Sequence, residues 1–215
     1  MNTMNKRFLA ILIVIVVGLG GIYWLTTKNN KVGVPSSKAQ ASNHLFGQGK
    51  KGVTLIEYGD YQCPACGAYY PLVKDITNKY QADITFQFRN FPLVQLHQNA
   101  FASARAAEAA SKQNKFWEMH DTLYEQQKTW ETSSNPYGIF AGYAGQLGLD
   151  LAKFKQDYES TEVNDVINAD AQMAQALGAT GTPTFVLDGK KLDQNPQDEA
   201  AFSKLIDGAI KSKNQ

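Results

Sequence analysis

A β-branched run, a proline-led helical stretch and a second alternating run follow one another in the first half of the chain, and their order dictates the fold class. Val53 to Tyr58 (VTLIEY) has the composition of a strand buried in a sheet. After a turn at Gly59-Asp60, helical spacing runs from Ala65 to Tyr80, with Pro64 at the first helical position, where a missing N–H removes no bond. Pro71 falls inside this pattern and is expected to kink the helix. From Ile84 to Phe91, Ile84, Phe86 and Phe88 alternate with Thr85, Gln87 and Arg89 as a second strand. Strand, helix, strand over this span is a βαβ unit, whose two strands run parallel.

The following stretch reads as helical throughout. Ala100 to Ala110 holds seven alanines, a strong helix former whose small side chains permit close packing. Lys115 to Gln127, Tyr137 to Leu147, Asp150 to Tyr158 and Val163 to Leu177 continue the pattern, with breaks at Asn135-Pro136 and Gly148. Thr184 to Leu187 and Lys190 to Leu192 flank Asp188-Gly189, a hairpin turn. Asp198 to Ile210 is a closing amphipathic helix with Phe202, Leu205, Ile206 and Ile210 on one side. The order β-α-β, helices, β-β-α makes one α/β domain over residues 44–215, with a helical insertion at about 95–178.

Both cysteines of the chain stand in Cys63-Pro64-Ala65-Cys66, at the junction of strand and helix. A zinc site needs four ligands, and His44, His97 and His120 lack the paired spacing that would complete two thiolates. A structural disulfide here would close a very small loop, which gains least from chain entropy. A redox pair makes good physical sense. At a helix N-terminus the thiolate of Cys63 faces free N–H groups and the positive end of the dipole, so its pKa falls. Cys66, one turn on, can resolve a mixed disulfide.

Two further features bear on this motif. Glu57 lies inside the first strand. If that strand is covered on both faces, its carboxylate is buried and serves as a proton acceptor for Cys66; on an edge strand it would face solvent. Gly181-Thr182-Pro183-Thr184 precedes the strand TFVL, and Pro183 is either a strand start or a cis-proline. EYGDYQCPAC together with TGTPTF resembles the DsbA family of extracytoplasmic thiol–disulfide oxidoreductases, and FRNFPLVQLHQNAFASARAAEAASKQNKFWEMHDTLY resembles its membrane-tethered branch. That resemblance implies a thioredoxin-like fold with inserted helices, a cis bond at Thr182–Pro183, and cycling of Cys63 and Cys66 between dithiol and disulfide. Glu57 takes the place of the family's buried acid. The dipeptide between the cysteines is Pro-Ala, where the best-known oxidases have Pro-His; alanine cannot add to thiolate stabilisation. That lowers the oxidising power expected relative to theirs and leaves oxidase the leading reading, with reductase or isomerase open. A tethered peptide-binding domain with a structural disulfide is the reading of another class.

Catalysis is thus assigned to Cys63 and Cys66, with Glu57, Pro64, Thr182 and Pro183 in support. Tyr61, Gly181 and Thr182 are expected to line a substrate surface. His97 is expected to be a capping or surface residue, and His120 to pack between helices with Trp117. No cofactor or metal is called for.

The N-terminus bears on location. Lys6 and Arg7 precede an uncharged apolar run, Phe8 to Leu25, which as a helix reaches about 27 Å, enough to cross a bilayer core. The A-x-A at Ala39–Ala41 lies far behind it, so residues 1–27 read as a retained anchor rather than a cleaved signal. Residues 28–43 read as a polar linker. The 21 basic and 20 acidic residues give no basic face for nucleic acid. The expectation is a single-pass membrane protein, monomeric, with its catalytic domain outside the cytoplasm. Its partners would be exported cysteine-containing polypeptides and, by the resemblance, a membrane partner that reoxidises it.

Overall fold

A computed structural model describes residues 40–214. The apolar run and most of the polar linker lie outside the described residues. Thirteen elements follow in order: β1 (His44–Phe46), β2 (Val53–Gly59), α1 (Pro64–Lys79), β3 (Ile84–Asn90), α2 (Ala100–Ser111), α3 (Phe116–Glu125), α4 (Gln127–Trp130), α5 (Pro136–Gln146), α6 (Leu151–Tyr158), α7 (Thr161–Ala176), β4 (Thr184–Leu187), β5 (Lys190–Lys191) and α8 (Glu199–Lys213). The strands form one mixed sheet in the order β1-β3-β2-β4-β5. β2 and β3 are parallel, from Val53 opposite Ile84 to Gly59 opposite Asn90, as a crossover through α1 requires. The other pairings are antiparallel.

Local chemistry sets the element ends. Asn135, Asp150, Ser160 and Asp198 each accept a hydrogen bond from the backbone N–H three residues on and so start α5 to α8. Asp188 and Gly189 both have positive φ, as a two-residue hairpin turn between twisted strands demands. α1 runs on through Pro71 as one element.

Both faces of the sheet are covered. Leu55, Phe86, Phe88 and Phe185 join Ile76 of α1 and Phe202 and Ile206 of α8 in the main core, which extends through α2 to α6 by way of Trp130, Phe140 and Phe154. Each large side chain fully removed from water there contributes about 1.5–3 kcal/mol. On the other face Tyr58, Phe91 and Val186 pack with Ala174 of α7. α7, read from sequence as part of the insertion, therefore also covers the sheet.

Two expectations change at the start of the domain. β1 is a strand of three residues, too short to show a period in sequence. The expected polar linker, residues 28–43, does not stay free of the fold to its end. Ser42 is buried, donating from its N and Oγ to the Asp170 carboxylate at 2.9 and 2.6 Å. Asn90 N and Arg89 Nη1 donate to the same carboxylate, each at 3.0 Å. The end of the linker is thereby part of the fold.

Candidate active site

Cys63 is the N-cap residue of α1, with extended backbone and Pro64 as the first helical residue. Its N–H donates to Asp60 O at 3.0 Å, and its carbonyl accepts from Gly67 N at 3.0 Å, the first bond of the helix. Both cysteines are free thiols. Cys63 is 7% exposed and Cys66 wholly buried, so the first is the one a partner can reach.

Environment drives the two thiols apart. The pKa of Cys63 falls from 9.0 to about 5, chiefly because the Cys66 thiol hydrogen-bonds to it. Burial opposes the fall, while Thr182 and the backbone N–H groups of Cys66 and Ala65 add to it. Cys66 moves well above 9.0, first through burial, then through its bond to Cys63 and the charge of Glu57. One sulfur is made a stable thiolate and good leaving group; the other holds its proton.

Glu57 stands in the central strand β2, opposite Phe88 on one side and Phe185 on the other, and is 3% exposed. A solvent-facing edge position is thereby excluded. Burial, and secondarily the Cys63 charge, raises its pKa to about 8. Its carboxylate has no hydrogen-bonding side chain among the described residues; instead it borders a cavity of about 80 Å³ shared with Tyr70, Lys74, Trp117, His120 and Asp121, room for a few waters. The hydroxyls of Tyr61 and Tyr124 and Nε2 of His120 are buried in the same aromatic cluster without a partner among the described residues. Burial lowers the pKa of His120, so the ring is neutral.

The loop before β4 closes the other side of the cysteines. The peptide bond Thr182–Pro183 is cis. Cys63 Sγ lies 3.4 Å from Thr182 O, bringing together residues 119 positions apart in the chain. Thr184 Oγ1 donates to Gly181 O and Asn195 Nδ2 to Pro183 O, each at 2.7 Å, bracing the loop from both ends. Beside it lies an open cleft of about 320 Å³ lined by Gly181, Thr182, Pro183, Lys191, Asp193 and Asn195.

The structure thus brings Cys63, Cys66, Glu57, Pro64, Thr182 and Pro183 together, with Gly181 on the cleft. Tyr61 is corrected. It is 1% exposed, packed on Phe88, His120 and Tyr124, and cannot line a surface, because the turn after β2 points its ring into the core. His120 does pack with Trp117, at 5.1 Å between ring centroids. His97 is neither a cap nor a free surface group, since its Nδ1 lies 2.7 Å from Asp60 Oδ2.

Three contributors escaped sequence reading. The buried Asp60 carboxylate accepts from Gln62 N at 2.8 Å and Leu93 N at 2.9 Å as well as meeting His97; an Asp two residues before a needed N–H is a recognisable turn signal. Asn195 and Gln127 lie in segments whose composition carries no such mark.

The fold has counterparts among known proteins. The sequence profile of the family described as Thioredoxin matches residues 39–208. A Na(+)/H(+) antiporter NhaA 1 of Mycobacterium sp. (strain KMS) is 33% identical over 167 residues, covering 77% of this chain. The chain spans about a quarter of the length of such curated relatives, 26% in this case. Among solved structures, a thioredoxin-like oxidoreductase from Silicibacter pomeroyi DSS-3 is 26% identical with a TM-score of 0.66, covering 78% of this chain and 92% of that one. DsbA2 of Pseudomonas aeruginosa is 28% identical with a TM-score of 0.61, covering 80% and 96%.

Proposed function

Because the chain belongs to the thioredoxin family, we propose that it is a thiol–disulfide oxidoreductase and that it works as an oxidase, passing the Cys63–Cys66 disulfide to cysteine pairs of other polypeptides. The observation that carries this reading is Cys63 at the N-cap of α1 with the Cys66 thiol hydrogen-bonded to it, which displaces the two thiol pKa values in opposite directions, Cys63 down to about 5 and Cys66 well up. A thiolate this stable leaves easily and favours the reduced enzyme, which makes the disulfide a good oxidant.

In the proposed cycle a client thiolate attacks Cys63 Sγ, the Cys63–Cys66 bond breaks, and Cys66 departs with the electron pair. Having a high pKa, Cys66 takes a proton, which the protonated carboxyl of Glu57 would supply, with water in the cavity at Glu57 returning it. A second client thiolate attacks the client sulfur of the mixed disulfide and expels Cys63 as a thiolate. The client leaves oxidised by two electrons and the enzyme reduced. The cleft beside Pro183 would hold the client as an extended chain through main-chain hydrogen bonds.

Exported polypeptides are the proposed clients, with a monomer tethered outside the cytoplasm by the run Phe8–Leu25 and reoxidised by a membrane partner. These last assignments rest on the apolar N-terminus and on the resemblance of the cysteine motif. Ion transport is not proposed: the antiporter name belongs to relatives most of whose length this chain does not match.

The test is oxidative folding of a reduced two-cysteine polypeptide by the oxidised protein. One client disulfide should form per enzyme disulfide lost, and C63A should form none. Equal activity in C63A would end the proposal.

A further inference from the structure

Gln127 is a buried amide, carried by the shortest helix of the insertion, and it reaches the nucleophile's backbone from behind. Its Nε2 donates to Tyr61 O at 2.7 Å and to Cys63 O at 3.0 Å. Only an NH₂ group can serve two carbonyls, so the amide's orientation is fixed by its partners. Those carbonyls belong to the peptide units on either side of Gln62–Cys63.

Gly67, directly after Cys66, makes room for this contact. A Cβ there would fall 2.7 Å from Gln127 Oε1 and 3.0 Å from Nε2. A second side chain grips the same segment. Gln62 Nε2 donates to Glu131 O and Gln62 Oε1 accepts from Asn99 N, both at 2.6 Å. Asn99 Nδ2 in turn spans the carbonyls of Trp130, Glu131 and Ser133 at 2.9–3.2 Å. The platform behind these contacts is firm, because Trp130 is wholly buried and its Nε1 donates to Leu123 O at 2.9 Å.

From this arrangement we infer that Gln127 is a positioning residue of the dithiol–disulfide reaction, through which the helical insertion fixes how Cys63 is presented at the start of its helix. Holding the Cys63 carbonyl sets the plane of the Cys63–Pro64 peptide unit, and holding Tyr61 O sets the approach of the chain. Those two constraints fix the backbone that carries Sγ relative to the N–H groups of Ala65 and Cys66. Those groups favour its thiolate, so an amide that never meets substrate influences how oxidising the pair is.

The inference rests on the redox reading of Cys63 and is tested on the full-length protein by titrating the Cys63 thiolate absorbance at 240 nm and by equilibration with glutathione. In Q127L the donor is lost at similar volume. Its Cys63 pKa should rise by about one unit or more above the wild-type value, and the glutathione equilibrium should move about tenfold toward the disulfide form. G67A is the second variant. It keeps Gln127 but displaces its amide, the far end of a flexible side chain, and should shift both readouts in the same direction; it decides the matter should Q127L not fold. A merely structural role for Gln127 lowers the melting temperature and leaves both readouts unmoved, which overturns the inference. If the wild-type Cys63 itself titrates as an ordinary thiol and does not exchange, the redox reading has failed instead.

Discussion

Replacing Glu57 by glutamine should remove a loss of stability that otherwise develops between about pH 4.5 and 8. Burial, the larger cause, and the Cys63 thiolate together lift this carboxyl from 4.5 to about 8. Between those values the folded state keeps a proton that the unfolded state has released, so stability falls as pH rises. The full rise corresponds to about 5 kcal/mol at 1.36 kcal/mol per pKa unit. The steepest possible slope is that same 1.36 kcal/mol per pH unit. The cleanest comparison is C63A against C63A/E57Q, since removing the thiolate leaves the desolvation of Glu57 alone and avoids the opposing titration of Cys63. Urea unfolding at steps from pH 4 to pH 9 then gives two curves. Their difference should be constant below about pH 4.5 and grow in favour of the glutamine variant by about 3–5 kcal/mol by pH 9. Parallel curves across the whole range would mean that Glu57 titrates as a solvated carboxyl, and the buried-acid account would be wrong.

Three other outcomes follow from the same structure. Alkylation of the reduced protein should modify Cys63 alone, at a rate that rises with a midpoint near pH 5 and is flat above about pH 7; a midpoint near that of a free thiol would contradict the thiolate stabilisation. G59A should be destabilised by about 1–3 kcal/mol or more and melt several degrees lower, because the added Cβ would stand 2.5 Å from the Phe88 ring; an unchanged melting temperature would show that the ring can move aside. D60A strips a partner from Gln62 N, Leu93 N and His97 at once and should cost about 2–4 kcal/mol in a chemical unfolding experiment, with a loss below 1 kcal/mol counting against the loop's role as the anchor of the cysteine turn.

How far the chain explains itself varies with the range of the interaction. The βαβ unit, the parallel pairing of β2 with β3 and the hairpin at Asp188-Gly189 follow from local pattern, and so do the helices from Ala100 onward. Cys63 and Cys66 were legible because helix-end electrostatics act within one turn of chain. Glu57 could be named but not placed, since its burial depends on β2 being central, a property of the whole sheet. The cis bond at Pro183 was open to the residues alone and favoured only by resemblance. What stayed hidden is long-range and polar: Ser42 on Asp170, Asn195 on Pro183, and Gln127 on Tyr61 and Cys63 join residues from 12 to 128 positions apart. Amides and hydroxyls leave no periodic trace, so nothing in their neighbours announces these pairings. Tyr61 shows the converse hazard: proximity to a motif in sequence suggested a surface role, while the turn put its ring in the core.

The most direct measurement is the reduction potential of the Cys63–Cys66 pair, by equilibrating the protein in glutathione buffers at pH 7 and quantifying dithiol and disulfide forms. A thiolate stabilised as Cys63 is should place the pair at the oxidising end, about −120 to −180 mV. A value near about −270 mV would mean that the same residues serve a reductase, and that the proposed direction of electron flow is wrong.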